Sequence, residues 1–164
     1  MKLNVALASL AISQVVYAQP GHHPPGQPMA VINGATEEPA VKEVLARYKT
    51  AIEKLDVAGT ESLFASDSAI FETGGVEGTY AQYLAHHLGP ELKAFRSFAF
   101  SDYKVIVRFE GSVALATETY NYRIETRSGE TADRHGVATS VLKKIDGQWK
   151  ILSMHNSARK PKGS

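Results

Sequence analysis

The stretch LARYKTAIEKLDVAGTESLFASDSAIFE, residues 45–72, changes its period part-way. Its first half carries Leu45, Tyr48, Ile52 and Leu55 at helical spacing, and Val41 and Val44 extend that apolar stripe upstream. Lys42, Glu43, Lys49, Glu53 and Lys54 fall on the other face. The helix is expected to open at Thr36, with Glu37 and Glu38 favourable at its positive end and Pro39 tolerated in the first turn. Asp56 and Gly59 end it, Thr60 to Ala65 read as a short second helix, and Asp67 to Glu72 as a first strand closed by Gly74-Gly75.

Downstream, Thr79 caps a helix over Tyr80 to Leu88, Gly89-Pro90 breaks it, and Glu91 to Phe95 adds a turn. The pattern then turns to strands over 98–109, 113–126, 131–144 and 149–157, with turns at Gly111, Ser128-Gly129 and Asp146-Gly147. Helices first and hairpins afterwards make an α+β order. A curved antiparallel sheet wrapped by the N-terminal helices would close a cone, whose mouth is a natural small-molecule pocket.

The 164 residues suit one globular domain, expected over residues 37–158. Residues 1–18 have a positive start, an apolar run and Val16 and Ala18 before a break, the pattern of a cleaved export signal, so a periplasmic or secreted protein is expected. Residues 19–36 read as a Pro/Gly-rich tether, in which His22-His23 is a flexible solvated pair with no rigid third ligand and could hold a metal only loosely, and 159–164 as a frayed basic tail. A formal charge of +1 argues against a nucleic-acid surface, and no membrane span is expected once the signal is removed. With no cysteine, the chain cannot use a thiol nucleophile, a disulfide or a cysteine metal site. No Gly-x-Ser-x-Gly elbow and no glycine-rich phosphate loop occurs.

The candidate chemistry rests on histidine, carboxylate and tyrosine. His87 shares a helix face with Tyr80, Leu84 and Leu88 and so points inward, while His86 points out. Strand alternation groups His155 with Trp149, Ile151, Ser153 and Ser157, and His135 with Val137, Thr139 and Val141. A tight Asp146-Gly147 turn sets His155 opposite Ala138; only a bulge or longer turn brings it nearer His135. If His87, His135 and His155 converge, three imidazoles offer a zinc or copper site; otherwise they line the pocket. Tyr120 and Tyr122 share a face with Glu118, which is either the concave or the outer one.

Residues 45–72, with the closing stretch GVATSVLKKIDGQWKILSMHNS at 136–157, resemble the nuclear transport factor 2-like superfamily, which includes SnoaL-like and ketosteroid isomerase-like domains. The resemblance spans roughly 38–158 and implies a cone of the cystatin-like type. It also implies a homodimer through the outer sheet face, a small-molecule ligand and no required cofactor. Functions within the superfamily range from isomerases and dehydratases to pure interaction modules, whose cone would be packed shut by Phe and Tyr. The isomerases use a helix tyrosine, a first-strand carboxylate base and a protonated strand aspartate. An ungapped match puts the tyrosine on Tyr48 and the base on Glu72, whereas the aspartate falls near Thr139 or Ser140, neither an acid. The expected ligand-binding set is Tyr48, Glu72, His87, His135 and His155, with Tyr48, Glu72 and His87 as candidates for proton transfer.

Overall fold

The computed structural model describes residues 33–161. The signal, most of the tether with His22-His23, and the last three residues of the tail lie outside the described residues. Helix α1 runs Gly34–Glu53 and buries Val41, Val44, Leu45 and Ile52, the expected stripe. It starts before Thr36, because the Asn33 side chain accepts from the Ala35 amide and caps it. A 3-10 turn, Thr60–Leu63, leads into β1, Phe64–Glu72, which starts earlier than expected.

The turn at Gly74 sends the chain back as β2, Gly75–Gly78, a short strand not anticipated from its four residues. Thr79 caps α2, Tyr80–Tyr83, through a complete capping box with Gln82. Gly89-Pro90 does not break the helix. A π turn, Leu84–Leu88, widens the backbone, and the helix continues as α3, Gly89–Ala94. The wider turn accommodates a proline that cannot donate to the ladder.

Four long strands follow: β3 Phe95–Glu110, β4 Val113–Thr126, β5 Thr131–Ile145 and β6 Gln148–Arg159. The six-stranded sheet has the order β2-β1-β6-β5-β4-β3. All neighbours are antiparallel except β1 and β6, which are parallel and carry the chain across the sheet. The result is the expected α+β cone, with α1 lying over the inner face. Asp146 and Gly147 both have positive φ, 50° and 78°, the geometry of the tight hairpin their sequence calls for.

Two bulges decide which side chains face the cone. In β5–β6 the register slips after Leu142↔Ile151, so that Val141 pairs with Ser153 and Thr139 with His155. Met154 is therefore buried at 1% exposure and His155 points out, which reverses the expected grouping of His155 with Trp149 and Ile151. In β3–β4 the register slips between Ser101 and Lys104, where Asp102 has a φ of 52°. Tyr103 thereby turns inward beside Phe100 and reaches Glu118 of β4.

Candidate functional site

The inner face of the sheet and the helices enclose a cavity of about 160 Å³. Its wall is largely aromatic and aliphatic: Phe95, Phe98 and Phe100 of β3, Tyr120 and Tyr122 of β4, Leu88 and Leu92 from the helices, and Ile52 of α1. Tyr48, Glu72, Tyr83, Glu91 and Asn156 add polar groups. The cone is therefore open, not packed shut by its aromatics. Tyr120 needs the glycine opposite it: a Cβ on Gly136 would lie 2.1 Å from the Tyr120 ring.

Glu72 ends β1 at the cavity, and the Tyr83 hydroxyl donates to its Oε2 at 2.8 Å. His87, on the π turn, places Nε2 3.7 Å from that same oxygen and 3.3 Å from Glu91 Oε1. Its Nδ1 donates to Glu77 Oε2 of β2 at 3.0 Å, which fixes the ring so that Nε2 faces the other two carboxylates. Glu77's hydrogen bond is the main cause that raises the His87 pKa, and Glu91 and Glu72 add to it. Burial is the main cause that raises the Glu91 pKa. Burial likewise holds the Tyr48 and Tyr83 hydroxyls well above the usual phenol range, so both stay protonated donors.

Tyr48 lines the cavity as expected, its ring packed edge-on against Phe64 and Tyr80. The phenol bonded to Glu72 is nevertheless Tyr83, which the helical stripe of Tyr80, Leu84 and Leu88 did not single out. Glu77 was also missed, since it rides on the unanticipated β2. His87 is on the inner side and His86 is exposed, as read from helix geometry.

The other two histidines do not join the site. His135 pairs with Arg159 and His155 with Thr139, so both lie exposed on the outer face, four residues apart along the strands. The β6 bulge displaces the register by a single residue, too little to bring them together, and His87 is on the opposite side of the sheet. The three imidazoles thus do not converge into a zinc or copper site, and among the described residues no cluster of three or more His, Asp or Glu side chains is arranged for a metal. His135 instead borders a shallow groove of about 550 Å³ on the outer face, with Asp102, Lys104, Asn121, Val137 and Arg159.

Residues 41–160 match the family model described as a SnoaL-like domain. The chain belongs to the SnoaL-like domain family. Among solved structures, this SnoaL-like chain is similar to a nuclear transport factor 2-like superfamily protein of Salmonella enterica serovar Typhimurium, at 23% identity and a TM-score of 0.69. That match covers 79% of this chain and 95% of the other. It is similar to a candidate ketosteroid isomerase of Shewanella frigidimarina, at 26% identity and a TM-score of 0.64, covering 72% and 94%. A candidate scytalone dehydratase of Novosphingobium aromaticivorans matches at 16% identity and a TM-score of 0.67, covering 80% and 96%. No curated protein sequence matches this chain. The family fixes the α+β cone; the chemistry has to come from the side chains inside it.

Proposed function

We propose that this SnoaL-like domain binds a compact, mostly apolar cyclic molecule in the cone and moves a proton on it with side-chain groups alone. The observation that carries this is Glu72: a carboxylate on an aromatic-walled cavity, oriented by Tyr83 at 2.8 Å, with the His87 imidazole 3.7 Å away. A cavity of about 160 Å³ suits a small ring system; an apolar void of roughly 150 Å³ holds benzene.

In this reading Glu72 takes a proton from a carbon next to a carbonyl. The C–H electron pair moves onto the carbonyl oxygen, where a Tyr48 hydroxyl that burial keeps protonated donates to it. Return of the proton from Glu72 to a second carbon completes an isomerisation. Expulsion of a neighbouring hydroxyl, protonated by the His87 imidazolium and released as water, completes a dehydration; the Glu72 proton then returns to His87. The names of the Shewanella and Novosphingobium relatives, a candidate isomerase and a candidate dehydratase, agree with proton transfer of this kind.

The test is deuterium incorporation from D2O into a panel of enolisable cyclic ketones, followed by NMR. Wild type should catalyse exchange at one ring position of a fitting ketone, and Glu72→Gln should slow it by about 10²–10⁴-fold. Exchange that survives Glu72→Gln would refute the assignment.

Two further readings belong with this one. The export pattern of residues 1–18 predicts a mature chain that begins at Gln19, which intact mass of the chain recovered from the cell envelope or medium would decide. The outer sheet face exposes Ile106 at 66%, Val137 at 43% and Leu115 at 39%, set among the threonines of β4 and β5, and these exposed apolar side chains support a homodimer through that face.

A further inference from the structure

The bulge that turns His155 outward turns its neighbour Asn156 inward. Asn156 pairs with Ala138 of β5 on one side and with Glu72 of β1 on the other. Its backbone carbonyl accepts from the Thr73 amide at 3.1 Å, which pins β6 to the end of β1 at this position. Its side chain borders both the main cavity and a smaller chamber of about 30 Å³ behind it. Asn156 is the only side-chain amide among the described residues that line the cavity, and within those residues no hydrogen bond engages it. A carboxamide carries two N–H donors and an oxygen acceptor. On an aromatic wall such a group costs free energy until a partner satisfies it, and a bound ligand is the partner the cavity can supply.

The chemistry of that amide edge selects its complement. A ligand carbonyl alone uses a donor and leaves Oδ1 unpaired. An ammonium uses Oδ1 and leaves Nδ2–H unpaired. A carboxylate again uses only the donors, and Glu72 and Glu91 on the same cavity repel it. A ring that carries N–H and C=O on adjacent atoms, held cis by ring closure, satisfies both at once through two parallel hydrogen bonds.

We propose that Asn156 is a specificity residue that selects rings bearing a cis amide edge, a lactam or a cyclic imide. Its Oδ1 accepts the ring N–H, and its Nδ2–H donates to the ring carbonyl. The second lone pair of that carbonyl stays available to Tyr48, which borders the same two spaces. Glu72 stands one strand spacing away, about 4.8 Å, beside the ring carbon on the far side of the carbonyl. The proposal rests on the cone being the ligand site and narrows its ligand from cyclic carbonyl compounds at large to cyclic amides.

The experiment compares two probes of one bicyclic shape, oxindole and indan-2-one, by calorimetric titration of the full chain. The ketone has a CH2 where the lactam has its N–H. Wild type should bind oxindole about tenfold more tightly, because the ketone leaves Oδ1 unpaired. In Asn156→Leu the preference should fall below about threefold, with oxindole losing more affinity than indan-2-one. Asn156→Ala removes the amide without filling the space and should behave alike, which keeps the test open if the leucine variant does not fold. Thermal unfolding of each protein confirms that it is folded. Equal binding of both probes by wild type overturns the proposal and leaves the cone as the ligand site. An oxindole preference that survives in a folded Asn156 variant overturns the assignment to this residue. If neither probe binds folded wild type, the cone fails as the site for such rings and the amide subsite fails with it.

Discussion

Replacing Gly136 by alanine should cost stability through one ring. The added Cβ would lie 2.1, 2.7 and 2.9 Å from three carbons of the Tyr120 ring, where ordinary contacts are about 3.5–4.0 Å. The ring has to retreat by more than about 1 Å on that measure. It is hemmed in by Phe100 at 5.0 Å, Tyr103 at 6.0 Å and Tyr122 at 6.2 Å between centroids, so its free direction is into the cavity. Overpacking of this kind costs about 1–3 kcal/mol. For a domain of this size a 2 kcal/mol loss corresponds to a fall in Tm of roughly 6–10 °C. Tyr120→Val provides the control, because its side chain ends before the clashing atoms and keeps a strand-favouring shape. In that background Gly136→Ala should be neutral, or stabilising by up to about 1 kcal/mol through the unfolded chain. Urea unfolding of the four proteins in the cycle should therefore return a coupling of about 2 kcal/mol. Additive effects, or no loss from Gly136→Ala alone, would refute the close packing of Tyr120 on Gly136.

Three other perturbations probe separate parts of the account. NMR titration should place the His87 pKa above the ordinary 6.5, and Glu77→Gln should lower it, because the Nδ1 hydrogen bond to Glu77 is the leading cause of the rise. A histidine pKa raised on folding stabilises most below the unfolded value and loses that contribution as pH rises through the folded one. The stability gap between wild type and Glu77→Gln should thus be widest below about pH 6.5 and close above the His87 pKa. On β6, Met154→Ala should cost about 2–5 kcal/mol in chemical unfolding, whereas His155→Ala should stay within about 0.5 kcal/mol; the reverse order would mean that the bulge is misplaced. If the proposed outer-face homodimer forms, light scattering should find wild type a dimer and Val137→Lys a monomer; a monomeric wild type, or a Val137→Lys dimer, would refute that interface.

The α+β order and most element positions were legible because each rests on a local signal. The apolar stripe from Val41 to Ile52, the Thr79 cap and the Asp146-Gly147 hairpin are all spelled out within a few neighbouring residues. What escaped was set by packing between distant segments. The β6 bulge is one extra residue in a pairing, and no single side chain announces it, yet it sends His155 outward and Met154 inward. The β3 bulge turns Tyr103 toward Glu118 in the same way. Glu77 belongs to a four-residue strand too short to show a period. Tyr48 and Glu72 line the cavity and His87 stands beside Glu72, positions that helix spacing and the superfamily pattern indicate. Tyr83 had a weak signal, a tyrosine one turn before His87 on the same helix, and Glu118 was seen to share a face with Tyr120 and Tyr122 without that face being known.

Every proposed step requires a small ring molecule to bind inside the cone. Methyl-resolved NMR of the full chain during titration with indan-1-one tests this directly. The cavity methyls of Ile52, Leu88, Leu92 and Ile124 should shift together and saturate, while those of Ile106, Leu115 and Val137 on the outer face stay still. Shifts confined to the outer-face methyls, or none at all, would contradict it.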